Sequence, residues 1–363
     1  MLSSVKLQAP VAKSAKGSRS VVSAAPVQTR KASVKAQSCC SKQAFKNQLE
    51  ALRSMSTVVA DTGEISLVKK FKPVDCTTNP SLVYKAVQMP EYKYLVQDAL
   101  SASKSSPTDP TRPYSGVADA LAVNMGCELL KVVPGRVSTE VDATLSYDTK
   151  ATVSKALHLI DLYGKKGIDP SRVYIKIAST WEGIEACREL EKRGINCNMT
   201  LLFSFAQAAA CADAGATLIS PFVGRILDWH KNKTGKTYTA KEDPGVVSVQ
   251  RIYNYYKTYG YKTIVMAASF RNVGEILELA GCDNITISPQ LLGELEASST
   301  PLNRVLSAES AKSQEKNIVG FTKKIFDDLH NADQMAVDKL KEGINGFSAD
   351  QKKLEELIAK TVA

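Results

Sequence analysis

Polar side chains that could do chemistry interrupt apolar, β-branched stretches of the chain. Residues 173–178 read Val-Tyr-Ile-Lys-Ile-Ala, so Lys176 is a single cation inside an apolar run. Acidic residues take similar places, since Asp61 ends the run 57–61 and Glu140 lies within 137–141. Burial disfavours the charged form of a lysine, and a neutral amine can attack a carbonyl carbon. The pattern therefore suggests an enzyme that forms a Schiff base.

Hydroxyl, amide and guanidinium groups extend this pattern to other stretches, where they alternate with apolar residues. Such alternation is typical of a strand with one polar and one apolar face. The positions are Asp75, Thr77 and Asn79, then Asn196, Asn198 and Thr200, and finally Ser269 and Arg271. Each residue alone could be a satisfied hydrogen-bonding group of the core. Together they indicate a site, because barrel enzymes keep their catalytic groups at the C-terminal ends of strands.

Eight short strands are predicted, with helical segments between them. The strands are residues 57–61, 74–79, 137–141, 172–178, 195–202, 218–223, 263–269 and 284–288. Helices are predicted at residues 181–192, 204–214, 247–259 and 272–280. Strands and helices that alternate with short connections are typical of parallel β/α units. We therefore expect an α/β protein with a (β/α)8 barrel, and a doubly wound open sheet is the alternative.

Further helices are predicted on both sides of these units. Phe45, Leu49, Leu52 and Met55 recur at helical spacing before the first strand. Residues 83–130 are long enough for two or three helices, and residues 335–363 form a helical tail that we expect to pack outside the barrel. Residues 297–332 are polar and give no functional prediction. Because no linker divides the sequence, we expect residues 41–363 to form one domain.

The basic charge of the chain is concentrated at its N-terminus. The 363 residues carry a net charge of +10, yet nine of the 47 basic residues and none of the 37 acidic ones lie within residues 1–49. A segment that is basic, rich in Ser and Ala and free of acids is typical of an organelle transit peptide. We expect residues 1–40 to be a disordered transit peptide, cut between about Ala36 and Ser41, that directs the protein to the chloroplast stroma or, alternatively, to a mitochondrion. The other interpretation of this charge is an arm that binds nucleic acid.

Several other kinds of site are disfavoured by the sequence. The eight cysteines form no Cys-x-x-Cys pair and none lies at metal-ligand spacing from a histidine, so we predict no metal site. No Gly-x-Gly-x-x-Gly turn follows a predicted strand, which argues against a dinucleotide fold. No apolar run approaches the roughly 20 residues of a membrane span. Beyond residue 49 nothing looks like a nucleic-acid-binding module, so we expect neither a membrane nor a nucleic acid as partner.

Five motifs, in order along the chain, are similar to those of the transaldolase family. They are Asp61-Thr62-Gly63-Glu64 with residues 75–82 (Asp-Cys-Thr-Thr-Asn-Pro-Ser-Leu), residues 173–183 around Lys176, residues 196–204, residues 219–226 (Ile-Ser-Pro-Phe-Val-Gly-Arg-Ile) and residues 267–272 (Ala-Ala-Ser-Phe-Arg-Asn). The resemblance covers about residues 50–295 and resumes near Met335. It implies a (β/α)8 barrel with a Schiff-base lysine on the fourth strand, where Lys176 falls among the predicted strands.

The resemblance also implies a reaction. A dihydroxyacetone unit would pass reversibly from sedoheptulose 7-phosphate to glyceraldehyde 3-phosphate, giving erythrose 4-phosphate and fructose 6-phosphate in the non-oxidative pentose phosphate pathway. The implied partners are sugar phosphates, no metal or organic cofactor is implied, and a homodimer is common among relatives of this length. Two alternatives are a Schiff-base aldolase that releases free dihydroxyacetone and a non-enzymatic binding protein built on an inactive barrel.

The resemblance assigns roles to residues at the matching positions of this sequence. Lys176 would form the imine, Asp61 would be the acid/base, and Glu140 and Thr200 would position a water. Asn79, Asn198 and Ser220 would bind the hydroxyls of the dihydroxyacetone unit, and Phe222 would shield the intermediate. Thr77 would help to orient Asp61 or the cluster of acids. Arg225 and Arg271 would bind the substrate phosphate, with Ser269 as a further substrate contact.

Overall fold

The computed structural model describes residues 45–102 and 111–362. At its centre, eight parallel strands form a closed barrel in sequence order. The strands are β1 (Thr57–Asp61), β2 (Asp75–Thr77), β3 (Val137–Glu140), β4 (Val173–Ala178), β5 (Cys197–Leu202), β6 (Leu218–Pro221), β7 (Ile264–Ala267) and β8 (Asn284–Ile287). Because β8 pairs with β1, the predicted (β/α)8 barrel is confirmed and the open sheet is excluded. The predicted transit peptide, residues 1–40, lies outside the described residues.

Alternating side chains give the strands two apolar faces. Outward side chains such as Ile175 and Met199 belong to the main core beneath the helices. The inward side chains of one layer are Val59, Tyr174, Leu218 and Met266. Asp61, Lys176 and Ser220 follow two residues later and point inward as well, because side chains two apart share a face of a strand. An apolar layer therefore fills the barrel beneath a polar layer at its C-terminal end.

Helices surround this barrel. In chain order they are α1 (Gln48–Arg53), α2 (Ile65–Phe71), α3 (Pro80–Ala86), α4 (Lys93–Ala102), α5 (Ser115–Leu130), α6 (Thr149–Lys165), α7 (Trp181–Lys192), α8 (Phe205–Asp213), α9 (Val223–Thr234), α10 (Pro244–Tyr259), α11 (Val273–Leu277), α12 (Pro289–Ala297), α13 (Lys323–Asn331) and α14 (Gln334–Val362). The predicted bounds of α7 are confirmed, and α4 and α5 lie within the predicted helical region 83–130. Within the described part of the chain, no helix combines the length and apolarity needed to cross a membrane.

The C-terminal helix packs outside the barrel, as the sequence predicted, and the structure adds its position. α14 contacts the end of β5 as well as the outer helices α3, α5 and α9. Gly343 permits this approach, since a Cβ added there would lie 2.6 Å from a methyl carbon of Leu201. Leu201 is fully buried and has a φ of 51°, so its side chain has little room to move. As a result α14 crosses the C-terminal end of the barrel and carries Phe347 over its centre.

An ionic contact fastens α14 to the barrel. Arg112 lies 2.6 Å from a carboxylate oxygen of Asp142, just after β3, and also pairs with Glu355 of α14. The carboxylate of Asp142 is almost completely buried. Removing the positive partner of a buried carboxylate is costly, so this contact stabilises α14 in its position across the end of the barrel.

Candidate active site

The register of the strands brings Lys176 between two other polar residues. Lys176 on β4 is paired directly with Glu140 on β3 and with Asn198 on β5. Asp61 on β1 is paired in the same way with Thr77 on β2. Neighbouring strands lie about 5 Å apart, so side chains that share a register and a face are in contact. The barrel thus assembles residues from distant parts of the sequence into one polar layer.

Lys176 is buried and has two polar neighbours. Its Nζ atom lies 3.3 Å from Oε2 of Glu140 and donates a hydrogen bond of 3.2 Å to the carbonyl oxygen of Thr78. Burial raises the pKa of Glu140, and the charges of Lys176 and Arg225 oppose that rise. A buried ion pair loses much of its attraction to the cost of desolvation. Passing one proton from the ammonium to Glu140 would leave both groups neutral and give a nucleophilic amine.

Asp61 is held by a chain of two hydroxyl groups. Oγ1 of Thr77 donates to Oδ1 of Asp61 over 2.9 Å and lies 2.8 Å from Oγ1 of Thr286 on β8. A threonine hydroxyl has one proton, so Thr286 donates to Thr77 when Thr77 donates to Asp61. Burial raises the pKa of Asp61, while Lys176, the Thr77 hydrogen bond and Arg225 oppose the rise. The site therefore contains an oriented carboxyl group suited to accept and return a proton.

Asn198 connects three strands by hydrogen bonds of its amide. Its Nδ2 donates to Oγ of Ser138 on β3 over 3.0 Å, and its Oδ1 accepts from Oγ of Ser220 on β6. Asn79 is fixed differently, because its side chain caps α3 by accepting from the backbone N–H of Leu82. These contacts settle which way each amide faces. Ligand hydroxyls would meet donors and acceptors in fixed positions.

A cavity of about 70 Å³ lies at the C-terminal end of the barrel among these groups. Eight of the twelve predicted residues line it, namely Asp61, Thr77, Asn79, Lys176, Ser220, Phe222, Arg225 and Ser269. Of the other four, Glu140 contacts Lys176 and Asn198 contacts Ser220. Thr200 is fully buried in register with Ala178. The fourth, Arg271, does not line the cavity.

Two buried oxygen atoms beside the cavity have no hydrogen-bond partner among the described residues. They are Oγ1 of Thr200 and Oε2 of Glu140, although Oε2 lies 3.3 Å from the Lys176 ammonium and so has an ionic partner. Buried polar atoms are normally hydrogen-bonded, so unpartnered ones mark places where a ligand or its atoms would bind. Both atoms belong to residues that the sequence predicted for this site.

Two arginines lie at the edge of the cavity, one without an ion pair among the described residues and one paired with an acid. The guanidinium carbon of Arg225 lies 5.0 Å from the ring centre of Phe222 and 5.5 Å from that of Phe347. No ion pair or hydrogen bond of Arg225 occurs within residues 45–102 and 111–362, and burial and the nearby Arg271 lower its pKa. Arg271 is 41% exposed and is paired with Asp228 over 2.7 Å. Arg225 is thus free to bind an anion, whereas Arg271 would have to share its charge with Asp228.

Four residues that line the cavity were not predicted from the sequence, namely Met266, Ala268, Thr286 and Phe347, and the last two bear on the chemistry. Phe347 on α14 reaches it only because of the tertiary position of that helix. The sequence contains a pattern that could have identified Thr286 on β8, since Asn284 and Thr286 alternate with apolar residues as the polar positions of the other strands do. The role of Thr286 in orienting Thr77 was not foreseen, because that depends on the closure of β8 onto β1.

Two other features lie away from this site. A cavity of about 780 Å³ opens at the opposite end of the barrel, near Thr57, Lys72 and Asn284, and none of the twelve predicted residues line it. Cys187, Glu191 and Cys197 place potential metal ligands within 4.8 Å of one another. The Glu191 carboxylate already accepts hydrogen bonds from the backbone N–H groups of Cys197 and Thr217, so it joins α7 to β5 and β6.

Fold and site together define a class of protein, the (β/α)8-barrel enzymes with a buried lysine among carboxyl and hydroxyl groups. Comparison with known proteins is more specific, because residues 58–358 match the family described as transaldolase/fructose-6-phosphate aldolase. The chain belongs to this family.

Curated relatives match over most of their length. A protein named transaldolase from Vibrio cholerae serotype O1 is 56% identical over 313 residues, which cover 86% of this chain and 98% of the relative. Transaldolase from Shewanella amazonensis is 57% identical over 317 residues, or 87% of this chain and 99% of the relative. Transaldolase from Cellvibrio japonicus is 58% identical over 313 residues, or 86% and 98%.

Proposed function

We propose that this enzyme is a transaldolase, which transfers a dihydroxyacetone unit from sedoheptulose 7-phosphate to glyceraldehyde 3-phosphate through a Schiff base on Lys176. The observation that carries this proposal is the buried contact between Lys176 and Glu140 at 3.3 Å, in the same cavity as Asp61. The 56% to 58% identity to proteins named transaldolase supports the same reaction. The products are erythrose 4-phosphate and fructose 6-phosphate, as in the non-oxidative pentose phosphate pathway.

The first step is attack by the neutral amine of Lys176 on the C2 carbonyl of the donor. Glu140 takes the proton of the ammonium beforehand, and a water held between Glu140 and Thr200 moves protons to and from the carbinolamine. Loss of water then gives the protonated imine. The hydroxyl of Thr200, which has no hydrogen-bond partner among the described residues, supports this placement of the water.

Asp61 carries out the proton transfer of the second step. Asp61 removes the proton of the C4 hydroxyl, and the C3–C4 bond breaks. The electron pair of that bond passes into the protonated imine and forms an enamine. The aldose phosphate leaves with the new C4 aldehyde. In the reverse direction the enamine C3 attacks the acceptor aldehyde, and Asp61 returns the proton to the new hydroxyl. The contact with Thr77 supports this role, because it holds the carboxylate in one orientation.

Other residues hold the three-carbon unit and exclude water. Asn79 and Ser220, which line the cavity, and Asn198, which contacts Ser220, bind its hydroxyls. Phe222 and Phe347 cover the enamine, which matters because hydrolysis would release dihydroxyacetone. The small volume of the cavity supports this arrangement, since it suits a three-carbon fragment and leaves the remainder of the sugar to extend outward.

Arg225 and Arg271 bind the phosphate of the sugar, with Ser269 beside them. The guanidinium of Arg225 supports this proposal, because it has no ion pair or hydrogen bond among the described residues. It lies against two aromatic rings. Arginine suits this task, since its planar fork of donors matches two phosphate oxygens. Arg271 would contribute from its position beside Asp228.

The test of this function is a transfer assay with purified protein. Fructose 6-phosphate and erythrose 4-phosphate should give sedoheptulose 7-phosphate and glyceraldehyde 3-phosphate in equal amounts, with little free dihydroxyacetone. Free dihydroxyacetone as the main product would instead identify an aldolase. Absence of both products, with fructose 6-phosphate still bound, would favour a binding protein.

Residues 1–40 are proposed to direct the protein to the chloroplast stroma, with the mitochondrion as the alternative. Their basic and acid-free composition supports an organelle address. Residues 1–40 fused to a fluorescent protein should accumulate in the stroma, and the fusion without them should not. Two copies of the chain are proposed to form a homodimer, which sedimentation equilibrium of the purified protein would test.

A further inference from the structure

We propose that Asp243 and Glu275 share one proton and that this shared proton positions the phosphate-binding end of the active site. Neither residue lines the cavity or was predicted from the sequence. Asp243 caps α10 and Glu275 lies in the first turn of α11. The inference rests on the proposed function only in taking Arg225 and Arg271 as the groups that bind the phosphate.

Both carboxyl groups are buried, and each lies within hydrogen-bonding reach of the other. Glu275 is fully buried and Asp243 is 2% exposed. Oε2 of Glu275 accepts a hydrogen bond of 2.7 Å from the backbone N–H of Arg271, and Oδ1 of Asp243 accepts from the backbone N–H of Gly245 over 2.8 Å. Oε1 of Glu275 is buried and has no hydrogen-bond donor among the described residues. A proton shared with Asp243 would satisfy this oxygen.

The charges around the pair favour this shared proton. The charged groups that face it are Arg271 from the loop after β7 and Asp228 from α9. The Arg271 guanidinium is already paired with Asp228. Burial, together with Asp243, raises the pKa of Glu275 to about 7, and burial also raises the pKa of Asp243. Two adjacent carboxylates cannot both ionise cheaply, so the pair holds one negative charge near neutral pH.

A continuous set of close contacts joins the pair to both arginines. Glu275 binds the backbone of Arg271 directly. The loop that contains Arg271 packs against the first turn of α9, where the N–H of Gly224 donates to the carbonyl of Ser269 over 2.9 Å. A Cβ at Gly224 would lie 2.6 Å from that oxygen and from Cγ of Arg271, so the loop and the first turn of α9 are tightly packed at this contact. Arg225 is the next residue, so a shift of the loop would move both guanidinium groups together and change their position relative to Lys176.

Loss of the shared proton has a defined effect on binding. The pair would then hold two negative charges in contact, which repel each other and push the loop outward. The additional charge also lowers the local attraction for a phosphate. Phosphate binding should therefore weaken as pH rises through the titration of the pair, whereas the chemistry at Lys176 should be unaffected because the pair touches no reacting atom. Asp243 and Glu275 are positioning residues.

The experiment compares the wild type with Glu275→Gln, whose amide keeps the contact to Arg271 and donates permanently to Asp243. KM for fructose 6-phosphate and kcat are measured from pH 6 to pH 9. The ratio of the wild-type KM to the KM of the variant should rise roughly two- to tenfold over this range, as expected for one added charge near an ion site. The value of kcat should be the same in both proteins. Ionisation of the substrate phosphate affects both proteins equally and cancels in this ratio. Glu278→Gln, on the same part of the chain but outside the pair, should follow the wild type.

A binding measurement separates this inference from the proposed reaction. Inorganic phosphate is titrated calorimetrically into each protein at the same pH values, which needs no turnover. Absence of transfer activity in the wild type would contradict the proposed function, yet a loss of phosphate affinity at high pH in the wild type alone would still support the shared proton. Superimposable pH profiles of the wild type and Glu275→Gln would overturn the inference. Failure of both Glu275→Gln and Asp243→Asn to fold would overturn it too, because each amide reproduces the protonated pair.

Discussion

The Nζ atom of Lys176 lies 3.3 Å from Oε2 of Glu140, and both side chains are buried inside the barrel. The two residues are direct neighbours in the register of β3 and β4. The contact places a buried carboxyl group beside the amine that is proposed to form the imine.

Lys176→Ala should abolish covalent trapping of the donor. When the wild type is incubated with fructose 6-phosphate and borohydride, reduction of the imine should leave a stable adduct on Lys176, and intact-mass spectrometry should detect it. The variant should show no adduct and should lose roughly 10³-fold or more in transfer rate, as is usual when a covalent nucleophile is removed. Lys324→Ala, at a lysine whose side chain is 83% exposed, is the matched control and should trap like the wild type. An adduct at another lysine would contradict the mechanism.

Gly343→Ala should lift α14 away from the barrel. The added methyl group would collide with Leu201, while the equivalent change at Gly346, where no atom lies within 4 Å, meets open space. Both changes gain the same helix propensity, so their difference isolates the collision. We expect Gly343→Ala to be about 1 to 3 kcal/mol less stable than Gly346→Ala in urea unfolding.

The same pair of variants tests whether Phe347 shields the proposed enamine from water. If Phe347 excludes water, Gly343→Ala should release more free dihydroxyacetone per transfer event than Gly346→Ala, as measured enzymatically during turnover. Equal release by the two variants would mean that α14 does not protect the enamine.

Thr77→Val should shift the pH dependence of activity. In the proposed mechanism Asp61 must be ionised to accept the C4 proton, so kcat/KM should fall as pH decreases through the pKa of Asp61. The Thr77 hydrogen bond lowers that pKa against the effect of burial, and its removal raises the pKa. The acidic limb of kcat/KM should move to higher pH, with activity on that limb reduced roughly tenfold, the factor for one hydrogen bond to a charged group.

Thr286→Val is the control for this experiment, because it removes the hydroxyl that contacts Thr77 and leaves Thr77 in contact with Asp61. Its acidic limb should move in the same direction by a smaller amount. A limb that stays in place in Thr77→Val, or moves to lower pH, would exclude Asp61 as the group that titrates there.

Arg112→Ala should destabilise the fold through the loss of a partly buried ion pair. The carboxylate of Asp142 is 4% exposed and would lose its cation, as would Glu355 on α14. We expect a loss of about 2 to 4 kcal/mol in urea unfolding, because a buried carboxylate without a partner is costly. Arg193→Ala breaks an exposed pair with Glu189 and should cost about 0.5 kcal/mol or less. Equal effects of the two variants would mean that Arg112 does not secure α14.

The barrel could be predicted because its signals are local. Each strand is a short β-branched run, and the polar residues that interrupt it, such as Lys176 and Asn198, share a face by simple alternation. Parallel strands with short connections leave few topologies, and all eight predicted strands occur in the structure. The order of Glu140, Lys176 and Asn198 around the site follows from strand order and register alone.

The structure alone decided where groups without such a pattern lie. Phe347 is one apolar residue of an amphipathic helix, and nothing in its neighbours distinguishes a position over the cavity from one on the outer wall. The pairing of Arg271 with Asp228 and the contact of Asp243 with Glu275 join segments that are distant in sequence. Sequence periodicity determines which face of an element is buried, because that depends on residues a few positions apart. Which element then covers that face depends on contacts between whole elements, and these exist only in the folded chain.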